Sequence, residues 1–526
     1  MKMVFLAFER EAVVLARLAQ RFKEKGHEVL LVSCDHYFVT HDWEHIPQIC
    51  RSAGLSETEF TNLSDVFRQV NELSEELSTD DVDWQYLRKF ENSYGRTFTV
   101  HDLIATDPLL SGAYHHRNIY YRPANKAILF KCIEVHLKWL EAIFKERDVD
   151  AIITLNNQYF TKAAAYSIAQ GLAIPFLVVT SCRIRDLFLI YDNFCLSTPA
   201  SVQGEMHRLE TTRDPCPDGE SFISNLNEYG IPAWTDAGRW NSNLQTTLSL
   251  RWRLGYIWST LKRSRTAFKI RRYRGLLKRD YFLPSYGAML KVLIVNMMRR
   301  IAFFHHPEFF EAELPKAPFV FFPLHLIPES TILSSSRTLD EMECVYQVSR
   351  LVPPDWKVVV KVNINMLGHL DSHPSAYYLD MHKIPNVQFI DPRILSPAII
   401  ARSSAVACIS GTALLEGAAL GKPSFRWGHA DYEAVDSIHE FDPKTFRSHL
   451  LRSDVGNVKY YIQACFNLGM RLDYDFVLLM KETCSSPEEQ CEYDVQMDRL
   501  ENGLNDSLRA ASAARAPHNA ELCEAR

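Results

Sequence analysis

The residues in this chain best suited to chemistry stand just after short apolar runs. His325 ends FVFFPLH (319–325), Lys361 and Asn363 close KVVVKVN (357–363), Asp391 follows VQFI (387–390), and Ser410-Gly411-Thr412 follows AVACI (405–409). A small-residue turn that enters a helix leaves backbone N–H groups and the positive helix end free to hold phosphate. Glu416, one turn into that helix, is placed to reach a ribose hydroxyl. The bland alternative for the turn is an ordinary N-cap. His325 suits proton transfer or stabilisation of charge on a leaving phosphate, with a histidine satisfied by backbone at a strand end as its alternative. Earlier in the chain Glu9 follows MVFLAF (3–8) and Asp35-His36 follow EVLLVS (28–33). Each is a candidate base, and each reads equally as a cap or surface residue. Asn156, Asn157, Arg183 and Asp186 follow AIITL (151–155) and FLVVT (176–180) and are candidates to bind the hydroxyls of a second substrate.

Three further patterns invite chemistry and carry less of it. Gly421-Lys422-Pro423 lacks the glycine-rich loop and following Ser or Thr of a phosphate loop, so Gly421 is expected to end a helix and Lys422-Pro423 to lead into a strand. Asp81-Val82-Asp83 and Asp148-Val149-Asp150 resemble a metal-holding Asp-x-Asp. The first lies in a polar helical region and the second before a strand, so both are read as turn chemistry, and no metal is expected. The twelve cysteines, with no CxxC pair, are read as free and mostly buried thiols.

Candidate side chains at strand ends need a sheet to hold them in register. Continuous apolar strands alternate with helical stretches over 3–33 and 125–180, and again over 319–425, which predicts parallel sheets covered on both faces. Between them the rhythm stops: 211–245 is rich in Asp, Pro, Gly, Asn and Ser, and 246–304 reads as helical and basic. The expected organisation is therefore a Rossmann-like unit over 1–195, a linker and basic helical region over 196–315, a second Rossmann-like unit over 316–483, and a polar, disordered tail over 484–526. With 526 residues, 47% apolar and 23% charged side chains, the chain can fill two such cores. A net charge of -6 excludes a non-specific nucleic-acid coat, since that needs a broad basic face. The apolar start is cut off by Glu9, Arg10 and Glu11, too early for a signal peptide, and no run is long enough to span a bilayer, so a cytoplasmic protein is expected. Between 251 and 300 fourteen Lys and Arg face a single acid, Asp280, with Trp252, Tyr256, Trp258, Phe268 and Tyr273 interleaved. This block suits an anionic membrane surface; a solvated helical linker is the alternative.

The segments FFPLHLIPEST (321–331), KVNINMLG (361–368), IPNVQFIDP (384–392) and AVACISGTALLEGAALGKPSFRWG (405–428) resemble the capsule polysaccharide biosynthesis family, which includes bacterial β-Kdo transferases. The resemblance is specific over roughly 320–430 and looser over the N-terminal half. It implies a GT-B fold of two Rossmann domains facing a cleft. It also implies metal-independent glycosyl transfer from a nucleotide sugar to a capsule or surface glycan or glycolipid, with no bound cofactor beyond that co-substrate. Carried over by position, Ser410, Gly411, Thr412 and Glu416 would hold phosphate and ribose, with Lys361 and Asn363 beside them. Where Kdo-transferring members show Gln-Pro and His-Pro pairs, this chain has Ile327-Pro328 and Asn363-Ile364, so the donor stays open between CMP-Kdo and another sugar nucleotide. Asn cannot supply a positive charge or shuttle a proton. Two other readings stand beside transfer: a nucleotide-sugar 2-epimerase, and a non-catalytic sugar-nucleotide-binding protein.

Overall fold

The structure is a computed structural model that describes residues 1–8, 11–33, 45–62, 66, 77–107, 126–184, 186–226, 309–325, 330–363, 375–452, 456–473 and 487–524, with single positions between 254 and 298. The expected α/β architecture with two Rossmann-like sheets is present. In the first sheet β1 (Lys2–Ala7), β2 (Glu28–Ser33), β3 (Phe60–Asn62), β4 (Ala151–Leu155) and β5 (Phe176–Ser181) run parallel, while β6 (Leu187–Tyr191) is antiparallel to β5. The second sheet holds β7 (Phe319–Pro323), β8 (Lys357–Lys361), β9 (Val387–Phe389), β10 (Ala405–Cys408), β11 (Ser424–Arg426) and β12 (Ile438–Glu440), all parallel.

These strands form because their side chains are apolar on both faces. Phe5 and Leu6 are adjacent yet point to opposite sides, and both are fully buried, as a strand covered by helices on two faces requires. Helices Glu11–Glu24, Lys126–Glu146 and Phe160–Gly171 supply that cover, and Gly26, at φ 84°, makes the turn from the first of them into β2.

Strand order is β3-β2-β1-β4-β5-β6 in the first sheet and β9-β8-β7-β10-β11-β12 in the second, the doubly wound pattern in both. A further strand, β13 (Met470–Arg471), pairs antiparallel with β6, so the chain returns to the first sheet before residue 483. The expectation of a disordered tail is corrected by helix Pro487–Glu524. This helix lays Tyr493, Met497, Leu500, Leu504 and Leu508 into the core of the first sheet, and its Asp498 and Glu501 pair with Arg21. One apolar residue per turn in a polar run is a helical stripe, sparse enough to pass for disorder. The start of the expected linker is also structured: helices Ala200–Thr212 and Pro217–Ser224 pack on helix Val458–Leu468 from the far end of the chain.

The carboxyl edges of the two sheets meet. Asn157 Nδ2, after β4, donates to Ser334 Oγ, beyond β7, at 2.8 Å; the Arg183 amide, after β5, donates to Asp431 Oδ2, after β11, at 3.0 Å; and the Ala434 amide donates to Thr198 Oγ1 at 3.1 Å. One apolar cluster includes residues of both sheets.

Candidate functional site

In a doubly wound sheet the order reverses where strands lead away in opposite directions, and the loops leaving that point open a crevice at the carboxyl edge. In the second sheet the reversal lies between β7 and β10. His325 stands two residues beyond β7 and Ser410 two beyond β10, and the Ser410 amide lies 3.3 Å from His325 Nε2. The strongest candidates from the sequence therefore meet at the switch point.

The turn opens helix Thr412–Ala419 with Gly411 as N-cap, and no side chain caps it. The first amides of the helix have no acceptor within it. Tyr432 Oη donates to the Gly411 carbonyl at 2.7 Å and fixes the turn from behind. The Ser410 hydroxyl is buried and has no hydrogen-bond partner among the described residues. Such groups are nearly always satisfied in folded proteins, and this one stands at the opening of the switch-point turn. A side chain at Gly411 would have its Cβ 3.1 Å from Cys408 Sγ and 3.4 Å from His325 Nε2, which is why the turn is built from the smallest residue.

His325 is buried. Glu341 Oε1 accepts from its backbone N–H at 2.6 Å and from Nδ1 at 3.0 Å. Burial opposes a charge on the ring, but hydrogen bonds with Cys408 and Glu341 outweigh it and push the pKa up to about 10. The Ser410 amide argues the other way, since an N–H aimed at Nε2 needs a free lone pair there. The Glu341 contact is the shorter, and the upward direction follows from it.

Lys361 and Glu416 lie close enough to feel each other's charge. Burial lowers the Lys361 pKa to about 8 against the pull of Glu416 and Asp391, and burial raises that of Glu416 to about 8 against the pull of Lys361. At neutral pH Glu416 is thus mainly a neutral hydrogen-bond donor and Lys361 a cation. Lys361 Nζ donates to Ser396 Oγ at 3.0 Å. Asn363 follows at the same edge, part-buried, and Asp391 is occupied by Arg393.

The candidates of the first sheet fare differently. Asn156, at φ 58°, donates to Glu11 Oε1 at 3.1 Å and accepts from Thr180 Oγ1 at 2.8 Å. Asn157 is buried and spends its amide on Phe194 O and Ser334. The guanidinium of Arg183 faces Asp431 at 3.7 Å, and Asp186 is exposed at φ 57°. Glu9, Asp35 and His36, and most of 251–300, lie outside the described residues. Asp81 closes a capping box with Ser78, Asp83 caps helix Trp84–Tyr94, and Asp150 accepts from the Lys2 amide at 2.8 Å. Those aspartates therefore do turn and cap work. Gly421, at φ 68°, follows the helix that ends at Ala419, and Lys422-Pro423 lead into β11 at the amino edge, away from the switch point. Nine cysteines are described, all free and seven of them buried.

Two clusters escape a reading of the sequence. Asp431 is a buried carboxylate that takes the Arg183 amide, Tyr461 Oη at 3.1 Å and Tyr191 Oη at 3.4 Å, and burial raises its pKa. It stands five residues beyond the end of β11, so a search of the residues that directly follow strands does not reach it. Glu11 and Lys162 form a fully enclosed ion pair at 2.6 Å beneath the carboxyl edge of β1 and β4. Lys162 also donates to Leu155 O, and burial raises the Glu11 pKa despite its partner. A lysine among the alanines of a buried helix is the signal in the sequence.

No protein family model matches the chain, and no curated protein matches it. Among solved structures it is similar to the β-Kdo 2,7-transferase KpsC of Thermosulfurimonas dismutans, at 10% identity and a TM-score of 0.29 over 62% of this chain and 80% of that one. It is also similar to the UDP-GlcNAc 2-epimerase of Neisseria meningitidis bound to UDP-GlcNAc, at 11% identity and a TM-score of 0.22 over 96% and 100% of the two chains. A third is the glycotransferase of kitacinnamycin, at 12% identity and a TM-score of 0.21 over 98% of each chain. Likeness at this level bears on neither substrate nor reaction.

Proposed function

We propose that the chain is a metal-independent glycosyltransferase that takes a sugar from a nucleotide-activated donor and passes it to a surface-polysaccharide or glycolipid acceptor. The observation that carries the reading is the Ser410 hydroxyl, buried without a partner among the described residues, beside the free amides of helix Thr412–Ala419 at the switch point of the second sheet. An anion of phosphate size satisfies both at once. The charge that builds on the leaving phosphate is met by the turn amides, by Lys361 and by His325, whose ring Glu341 orients. Glu416, neutral at pH 7, offers a hydrogen bond to a ribose oxygen. Asn363 lies at the same edge for the base or a second phosphate. Acceptor hydroxyls come from the side of the first sheet, where Glu9 and Asp35 are the proposed bases and Arg183 and Asp186 line the approach.

Calorimetry against CMP, UDP and GDP and their sugars tests the site, and product analysis tests the reaction. Binding of one nucleotide that weakens in Thr412→Val and Glu416→Ala, with both variants folded, supports the reading; unchanged affinity in both overturns it. With the bound donor, a transferred sugar supports transfer, an inverted donor at its second carbon identifies an epimerase, and binding without turnover identifies a sensor.

A further inference from the structure

We propose that Tyr159, stacked on Phe8 at the carboxyl edge of the first sheet, is a platform for one face of a neutral pyranose ring, that of the sugar which receives the transfer. The identity of that sugar as an acceptor rests on the transferase reading above. Tyr159 stands four residues past β4, at φ 73° and ψ 150°, a region of backbone space that is essentially confined to glycine. It is the N-cap of helix Phe160–Gly171, a place that Ser, Thr, Asp, Asn or Gly serve best, and its side chain caps nothing. The helix therefore gives no reason for a tyrosine there.

The surroundings hold the strained turn from every side. Asn156, at φ 58°, is gripped by Glu11 and Thr180, and Asn157 by the Phe194 carbonyl and Ser334. The Phe160 amide donates to Asp107 Oδ2 at 3.3 Å, and Lys162 Nζ ties the Leu155 carbonyl to Glu11. Strain that a fold over-determines in this way collects at binding sites. Here it sets the tyrosine ring against Phe8, with centroids 3.7 Å apart and planes 23° from parallel. Gln158 and Tyr159 are both part-buried, and the Gln158 side chain has no hydrogen-bond partner among the described residues. Asn157, in the same turn, reaches Ser334, so the turn stands where the two sheets meet. An aromatic face attracts C–H hydrogens, and an amide both donates and accepts. The charges beneath, Glu11 and Lys162, are closed on each other at 2.6 Å. A neutral ring with C–H bonds on one face and hydroxyls around its rim answers to both Tyr159 and Gln158.

The test uses the full chain with methyl β-galactoside and methyl β-glucoside, by titration and saturation-transfer NMR. The expected result is binding of at least one glycoside, with saturation strongest on the ring hydrogens of one face. Affinity should fall about tenfold in Tyr159→Gly and Tyr159→Ala and persist in Tyr159→Phe. Thermal unfolding should place Tyr159→Gly above Tyr159→Ala, because only glycine relieves the backbone, and nucleotide affinity should stay at the wild-type value in all three. No binding of either glycoside, undiminished binding by Tyr159→Gly, or a loss of nucleotide affinity in its place, which would put the ring against the base, overturns the proposal. Failure of the transferase reading looks different: a glycoside held through Tyr159 by a chain that binds no nucleotide.

Discussion

Replacing Ser410 by alanine separates a ligand site from a structural turn. A buried hydroxyl without a partner costs the fold about 1–3 kcal/mol, so its removal withdraws a penalty, while the small void it leaves costs about 1 kcal/mol. The Ser410 hydroxyl is such a group, with no acceptor or donor among the described residues. Urea unfolding of Ser410→Ala is therefore expected to show stability equal to wild type or up to about 1–2 kcal/mol higher. Binding should move the opposite way. A hydrogen bond to a charged group contributes about 1.5–3 kcal/mol, so nucleotide affinity measured by calorimetry should fall by about 10- to 150-fold. A hydroxyl with a hidden structural role would lower stability and leave affinity alone. Loss of more than about 1 kcal/mol of stability, or unchanged affinity, refutes the reasoning.

Lys162→Met removes the partner of a buried carboxylate and should destabilise by about 3–5 kcal/mol in chemical denaturation, with Glu11→Leu recovering part of the loss. Glu11 already has a raised folded pKa, so it binds its proton more tightly folded than unfolded, and its contribution is lost as pH rises from the unfolded value toward the folded one. The Lys162→Met penalty should accordingly be larger at pH 8 than at pH 5. Asp431→Asn keeps the shape but weakens the acceptor of Arg183 and two tyrosines; calorimetric unfolding should show a less cooperative transition as the halves uncouple. For Glu416 and Lys361, the site passes from one positive charge to one negative charge as pH rises through about 8, so anion affinity should drop by at least about tenfold between pH 7 and pH 9. Glu416→Gln should flatten the drop. Leu500→Asp, which places a charge in the core of the first sheet, should unfold that half at room temperature, as followed by circular dichroism.

The part of the second half that carries the site is legible because β7, β8 and β10 are four or five residues long with apolar, buried centres. KVVVK and AVAC announce β8 and β10, and with them Lys361 and the Ser410 turn. The partnering of His325 is not legible. Glu341 lies sixteen residues further on, at the start of a helix whose sequence gives no hint that its first carboxylate turns back toward β7. Asp431 stays hidden for a different reason: it stands five residues past the end of β11, and its partners Arg183, Tyr191 and Tyr461 come from distant segments. Asn156 and Asn157 stand at the expected edge, yet the amide of Asn156 is engaged by Glu11 within the first half and that of Asn157 by Ser334 of the second, demands that arise only when distant segments are packed.

The return of the chain to its own beginning has a consequence for how the protein is made. The second sheet is closed once residue 440 has been added, whereas the first lacks β13 and Leu500, Leu504 and Leu508 until those later residues leave the ribosome. Translation order and completion order are thus reversed: the lobe synthesised first finishes last. Until then the groove that awaits Leu500 and Leu504 is open to water and to other nascent chains. A message that stops between β12 and β13 yields a closed second sheet joined to an unfinished first.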